Sequence, residues 1–118
     1  MKRIKVLVVE PQKAPYVKEI SDTSDTKRKI VSLWTTKITA PKENVAFLQK
    51  NKGEIHSLPF NRTLYNMEGR PIDILCGSFY LCLKSSDSDE YFSLPDGLIE
   101  KYKSVFSLEH GNRVYANH

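Results

Sequence analysis

Apolar residues along this chain fall in short blocks separated by polar turns, and the blocks carry two different periods. Ile4 to Val9 is nearly continuous Val, Ile and Leu, as expected of a strand covered on both faces or central in a sheet. Pro11 and Pro15 bound a loop, and Tyr16 to Ile20 alternates well enough for a second strand, so the two predict a hairpin. Ser21, Asp22, Ser24 and Asp25 offer N-caps for a helix over 23–34, with Ile30, Leu33 and Trp34 on one apolar face. Its first turns are polar, which predicts a surface helix packed through its C-terminal half. Strands are expected over 35–40, ended by Pro41, over 45–49, and over 54–58 after a turn at 51–53. Residues 61–64 read as a loop or a single helical turn, and 66–70 as a turn. The longest apolar run, Asp73 to Leu83, reads as the central strand, with Gly77 inside it relieving crowding or marking a bulge. A solvent loop covers 84–90, a last strand 91–94, and a second helix 98–106. That helix points Leu98, Tyr102, Val105 and Phe106 inward and is capped by Ser93 or Asp96.

These elements predict an α+β fold: a largely antiparallel sheet of five or six strands with two packed helices. At 118 residues the chain is long enough to bury one core, read as a single domain over 1–107. Residues 108–118 read as a C-terminal extension, packed or partly frayed. Hydrophobic residues are 40% and charged residues 27% of the chain, ordinary for a soluble globule. The apolar patch after the basic start is too short for a signal peptide, so a cytoplasmic location is expected. Cys76 and Cys82, six residues apart on one strand, would stand about 20 Å apart on the same inward face, too far to bridge. Two buried free thiols suit a reducing compartment.

The net charge of +4 mildly favours anionic partners but is well below a default nucleic-acid binder. Basic residues form the groups Lys2-Arg3-Lys5, Lys27-Arg28-Lys29, Lys50-Lys52 and Lys101-Lys103, and the tyrosines Tyr65, Tyr80, Tyr91 and Tyr102 lie among the predicted elements. Together on one face they would suit a nucleic acid; apart they are an ordinary solvated surface. The chain contains no G-x-S-x-G elbow, no phosphate-binding G-x-x-x-x-G-K-[ST] loop and no G-x-G-x-x-G fingerprint. His56, His110 and His118 are widely spaced, and the cysteines lack metal spacing, so no metal and no cofactor is expected.

Four segments carry a resemblance to a known family: V-L-V-V-E-P-Q-K-A-P-Y-V-K-E-I at 6–20, L-P-F-N-R-T-L at 58–64, D-I-L-C-G-S-F at 73–79, and E-Y-F-S-L-P-D-G-L-I-E-K-Y at 90–102. On these the chain resembles DUF3846, a small domain of unknown function, over roughly its first 106 residues. It departs from that pattern over 32–40, where S-L-W-T-T-K-I-T-A replaces a glycine pair, and beyond 107. The resemblance implies a bacterial, phage or mobile-element context, and carries no activity.

Asn61, Arg62 and Asp73 are the candidate ligand-binding residues. Arg62 offers a rigid fork of donors and Asn61 a donor–acceptor pair, suited to an anion or carboxylate. The competing account makes Asn61 a turn cap and pairs Arg62 with Asp73 to hold the loop. Trp34 and Tyr65 are the candidate interaction surface. Three functions follow as expectations. The first is a non-enzymatic binding or modulator protein of mobile-element or phage type, docking a host protein. The second is a nucleic-acid-associated or anti-restriction protein. The third is a small anionic ligand (nucleotide) binder using Asn61, Arg62 and Asp73. An enzyme ranks below all three, no membrane association is expected, and monomer and homodimer both remain open.

Overall fold

The computed structural model describes residues 3–21, 28–30, 44–50, 58–66, 68–84 and 91–115. In chain order these form β1 (Arg3–Val9), β2 (Tyr16–Ser21), β3 (Arg28–Ile30), β4 (Val45–Lys50), β5 (Phe60–Tyr65), β6 (Pro71–Cys76), β7 (Phe79–Lys84), β8 (Tyr91–Phe92), α1 (Asp96–Val105), a 3₁₀ turn at Leu108–His110, and β9 (Arg113–Tyr115). The strands make two sheets. The first runs β2-β1-β7-β4-β3, with β8 added against β7; the second runs β6-β5-β9. All pairings are antiparallel except β5 with β9, which is parallel.

The expected α+β class is present, but the expected single sheet and two helices are not. There are two sheets, and α1 is the sole helix of seven or more residues among the described residues. The helix expected over 23–34 is interrupted by β3, where Arg28, Lys29 and Ile30 lie opposite Lys50, Gln49 and Leu48. The local apolar spacing suited a helix, and a neighbouring strand with unpaired backbone groups overrode it. The remainder of 23–34, the strand expected over 35–40, the turn at 51–53 and most of 54–58 lie outside the described residues.

The stretch from Asp73 to Leu83 is also two elements rather than one. Gly77, at φ 74, turns the chain between β6 in the second sheet and β7 in the first. Its N–H donates to the Pro59 carbonyl at 2.7 Å. A Cβ at this position would stand 2.7 Å from Leu58 Cδ1, a contact the end of that side chain can relieve, so it is the left-handed backbone that favours glycine. Cys76 and Cys82 are therefore on different strands: Cys76 is half-buried and Cys82 fully buried. Residues 61–64, expected as a loop or helical turn, are part of β5. The turn expected at 66–70 forms, with Asn66 Oδ1 accepting from the N–H groups of Glu68 and Arg70, both at 2.9 Å.

Alternation along β1 and β7 sorts side chains to the two faces of the first sheet. Leu7, Val9, Phe47, Phe79 and Leu81 meet Leu64, Leu75 and Val114 of the second sheet and Ile99, Tyr102 and Phe106 of the helical end. Phe79 stacks on Phe47 at 5.3 Å and meets Phe106 edge-on at 5.3 Å. On the opposite face Ile4, Val6, Val8, Ile20, Ala46, Leu48 and Cys82 form a second buried cluster, with Tyr80 and Tyr91 packed against it. Covered on both sides, this sheet needs apolar residues at both parities, hence the continuous aliphatic run of β1.

Helix α1 starts after Pro95, whose fixed φ suits the entry. Neither expected cap acts as one. Ser93 Oγ instead accepts from Lys5 N–H at 2.9 Å, and Asp96 pairs with Lys5 Nζ at 3.5 Å. Both interactions tie the helix entry to β1. Within 108–118, β9 joins the second sheet with Val114 fully buried.

Candidate functional site

Asn61 and Arg62 are adjacent on a strand, yet both are fully buried. A β-bulge makes this possible. Phe60 lies opposite Cys76 and Arg62 opposite Leu75, so Asn61 is one residue too many and turns inward beside its neighbour. Asn61 Nδ2 donates to the Val9 carbonyl at 3.2 Å and the Gly77 carbonyl at 2.7 Å, joining the end of β1 to the β6–β7 corner.

Arg62 is surrounded by carbonyls. Nε and Nη2 donate to the Phe106 carbonyl at 3.3 and 3.0 Å, and Nη2 also to the Lys13 carbonyl at 2.8 Å. Nη1 donates to the carbonyls of Glu10 at 3.3 Å and Asn61 at 3.2 Å, and to Asn61 Oδ1. Phe106 follows the last residue of α1, so its carbonyl stands at the negative end of the helix dipole. Burial lowers the guanidinium pKa from its ordinary value. Each guanidinium nitrogen is thus engaged inside the protein, holding together the β1–β2 turn, β5 and the helix end. Asp73 is not among its partners.

Asp73 instead lies on β6, where its Oδ1 accepts from the N–H of Ile74 at 2.8 Å. Thr63 N–H, opposite Ile74, points the other way to the Asn112 carbonyl at 2.8 Å. Ile74 N–H therefore faces away from β5, on the side where β6 has no strand neighbour among the described residues, and Asp73 caps it. A carboxylate on a middle donor of an edge strand obstructs the addition of a further strand. The three candidate ligand residues do not converge on one opening. Trp34 lies outside the described residues.

Tyr65 leads to the feature that sequence reasoning missed. Leu64, Leu75 and Val114 point into the core, so, with the register shifts at Asn61 and Ile72 taken into account, the residues of the opposite parity in β6, β5 and β9 point outward. These are Ile72, Ile74 and Cys76; Phe60, Thr63 and Tyr65; and Arg113 and Tyr115. Ile74 is 59% exposed, Tyr115 45%, Phe60 43% and Ile72 39%. The rings of Tyr65 and Tyr115 lie 5.7 Å apart, and the Arg113 guanidinium stands 5.8 Å from the Tyr65 ring centroid. The open face of such a sheet is ordinarily polar, whereas this one is aliphatic and aromatic with one charge. The available signals were the alternating I-D-I-L at 72–75 and R-V-Y after Gly111-Asn112; reading Asp73 to Leu83 as one buried strand concealed the first.

Among the described residues no group of three or more His, Cys, Asp or Glu could hold a metal ion. No helix among them is long and apolar enough to cross a membrane. Residues 4–107 match the family model described as Domain of unknown function (DUF3846). No curated protein and no solved structure matches the chain significantly.

Proposed function

This chain belongs to the DUF3846 family, and we propose that it is a non-enzymatic binding protein that docks another protein on the outer face of its β6–β5–β9 sheet. The observation that supports this reading is the exposure of Phe60, Ile72, Ile74 and Tyr115 on one continuous face. Burying large apolar side chains that stand exposed is favourable for association, and tyrosine and arginine are the residues that anchor such contacts. A mobile-element or phage setting, which the family resemblance suggests, would make a host protein the partner to look for.

Two other readings receive less support. A nucleic acid would be held by unpaired basic groups, but Lys5, Lys13 and Lys103 each lie within 4 Å of a carboxylate, at 3.5 Å from Asp96, 3.8 Å from Glu10 and 3.9 Å from Glu100. A small anion at Arg62 would have to displace the carbonyls that occupy the guanidinium.

The test is capture from a host lysate with the wild-type protein and with Ile74→Glu as baits, read by quantitative mass spectrometry. A saturable protein partner retained by the first and lost by the second is expected. Equal recovery by both baits, or no saturable partner, rejects the reading.

A further inference from the structure

Given that docking face, the geometry points to the kind of element it receives: we infer that it takes a partner's amphipathic helix, whose apolar stripe covers Phe60, Ile72 and Ile74 and whose acidic side chain meets Arg113. This rests on the binding reading above and adds the partner's chemistry.

Three observations carry it. The first is size. Strands β5 and β6 are six residues each, which makes the face about 20 Å long, and three strands place its outer rows about 10 Å apart. One α-helix is about 10 Å across, and about 13 residues of it span 20 Å. The second observation is charge. Arg113 is the one charged side chain among the eight outward positions, and its guanidinium lies against the ring of Tyr65. A carboxylate on the partner is its complement, and the ring holds the guanidinium in place to meet it. The third is the edge. Asp73 caps the Ile74 N–H at 2.8 Å on the open side of β6, and β9 on the other side is three residues long. An added strand finds an obstructed edge and a short one, so the occupant lies across the face.

The experiment is selection from a displayed library of random 15-residue peptides on the immobilised full chain, followed by anisotropy titrations of the recovered peptides. Recovered sequences should carry apolar residues at i, i+3, i+4 and i+7 with at least one Asp or Glu, and should gain helical circular dichroism when bound. Ile74→Ser and Tyr115→Ser, each first shown to unfold cooperatively like wild type, should weaken binding roughly tenfold or more. Arg113→Glu should weaken the acidic peptides and restore binding to versions carrying Lys at the acidic position. Extended or basic peptides that nevertheless depend on Ile74 would overturn the helix while leaving the docking face in place. Peptides indifferent to all three substitutions, or an empty selection, would overturn the inference. So would a dimer in sedimentation that Ile74→Glu dissociates, because a second copy would then own the face.

Discussion

The two sheets of this protein are built from similarly apolar strands and differ in what lies on them. In the first sheet, β1 and β7 bury residues of both parities: Leu7, Val9, Phe79 and Leu81 on one side, Val6, Val8 and Cys82 on the other. In the second sheet, Leu64, Leu75 and Val114 are buried, while Ile72, Ile74, Phe60 and Tyr115 on the reverse are exposed. Among the described residues, the second sheet therefore carries apolar side chains at both parities while only one of its faces is buried. Apolar residues at both parities are those of a sheet covered on both faces, and the exposure of this face is the reason the proposed docking surface is drawn here rather than at Arg62. The same contrast separates the polar groups. Asn61 and Arg62 join the two sheets, whereas Asp73 holds the Ile74 N–H of its own strand and Arg113 stands on the exposed face beside Tyr65.

Substitutions on the sealed side should be costly, and those on the open face nearly free. Phe79→Ala removes the ring that joins Phe47 and Phe106 and should cost about 3–5 kcal/mol in urea denaturation. A loss below about 1 kcal/mol would show that the core between the sheets is loosely packed. Arg62→Met leaves the carbonyls of Phe106, Lys13 and Glu10 without their donor, and a loss of about 3 kcal/mol or more is expected in the same assay. Arg62→Lys should recover little of it, since an ammonium cannot reproduce the fork. Near-native stability in Arg62→Met would break the account of this residue as the tie between turn, strand and helix. For Gly77→Ala, the positive φ predicts a loss of about 1–3 kcal/mol, seen as a lowered midpoint with unchanged denaturant slope. Ile74→Ser closes the series with a change within about 0.5 kcal/mol, because the side chain is already mostly in water. A large destabilisation there would mean that the face is covered in the free protein, and the contrast between the sheets would collapse.

The sequence by itself determined much of the local structure. The β1–β2 hairpin, β4, the Asn66–Arg70 turn and a helix near 98–106 were all legible, because each has a short-range signal: alternation, glycine and asparagine at a turn, or apolar spacing around a proline-led start. Membership of the family was legible in the same way, from motifs. The tertiary structure alone decided the rest. No local pattern distinguishes an eleven-residue apolar run that is one strand from one that a glycine folds into two, since the left-handed backbone at Gly77 is set by the two sheets it joins. Nor could Arg62 be read as buried, because its acceptors come from Glu10, Lys13 and Phe106, about fifty residues away in either direction. Whether an apolar parity is covered or open depends on which other segments arrive over it, and that is a property of the whole packing rather than of any strand.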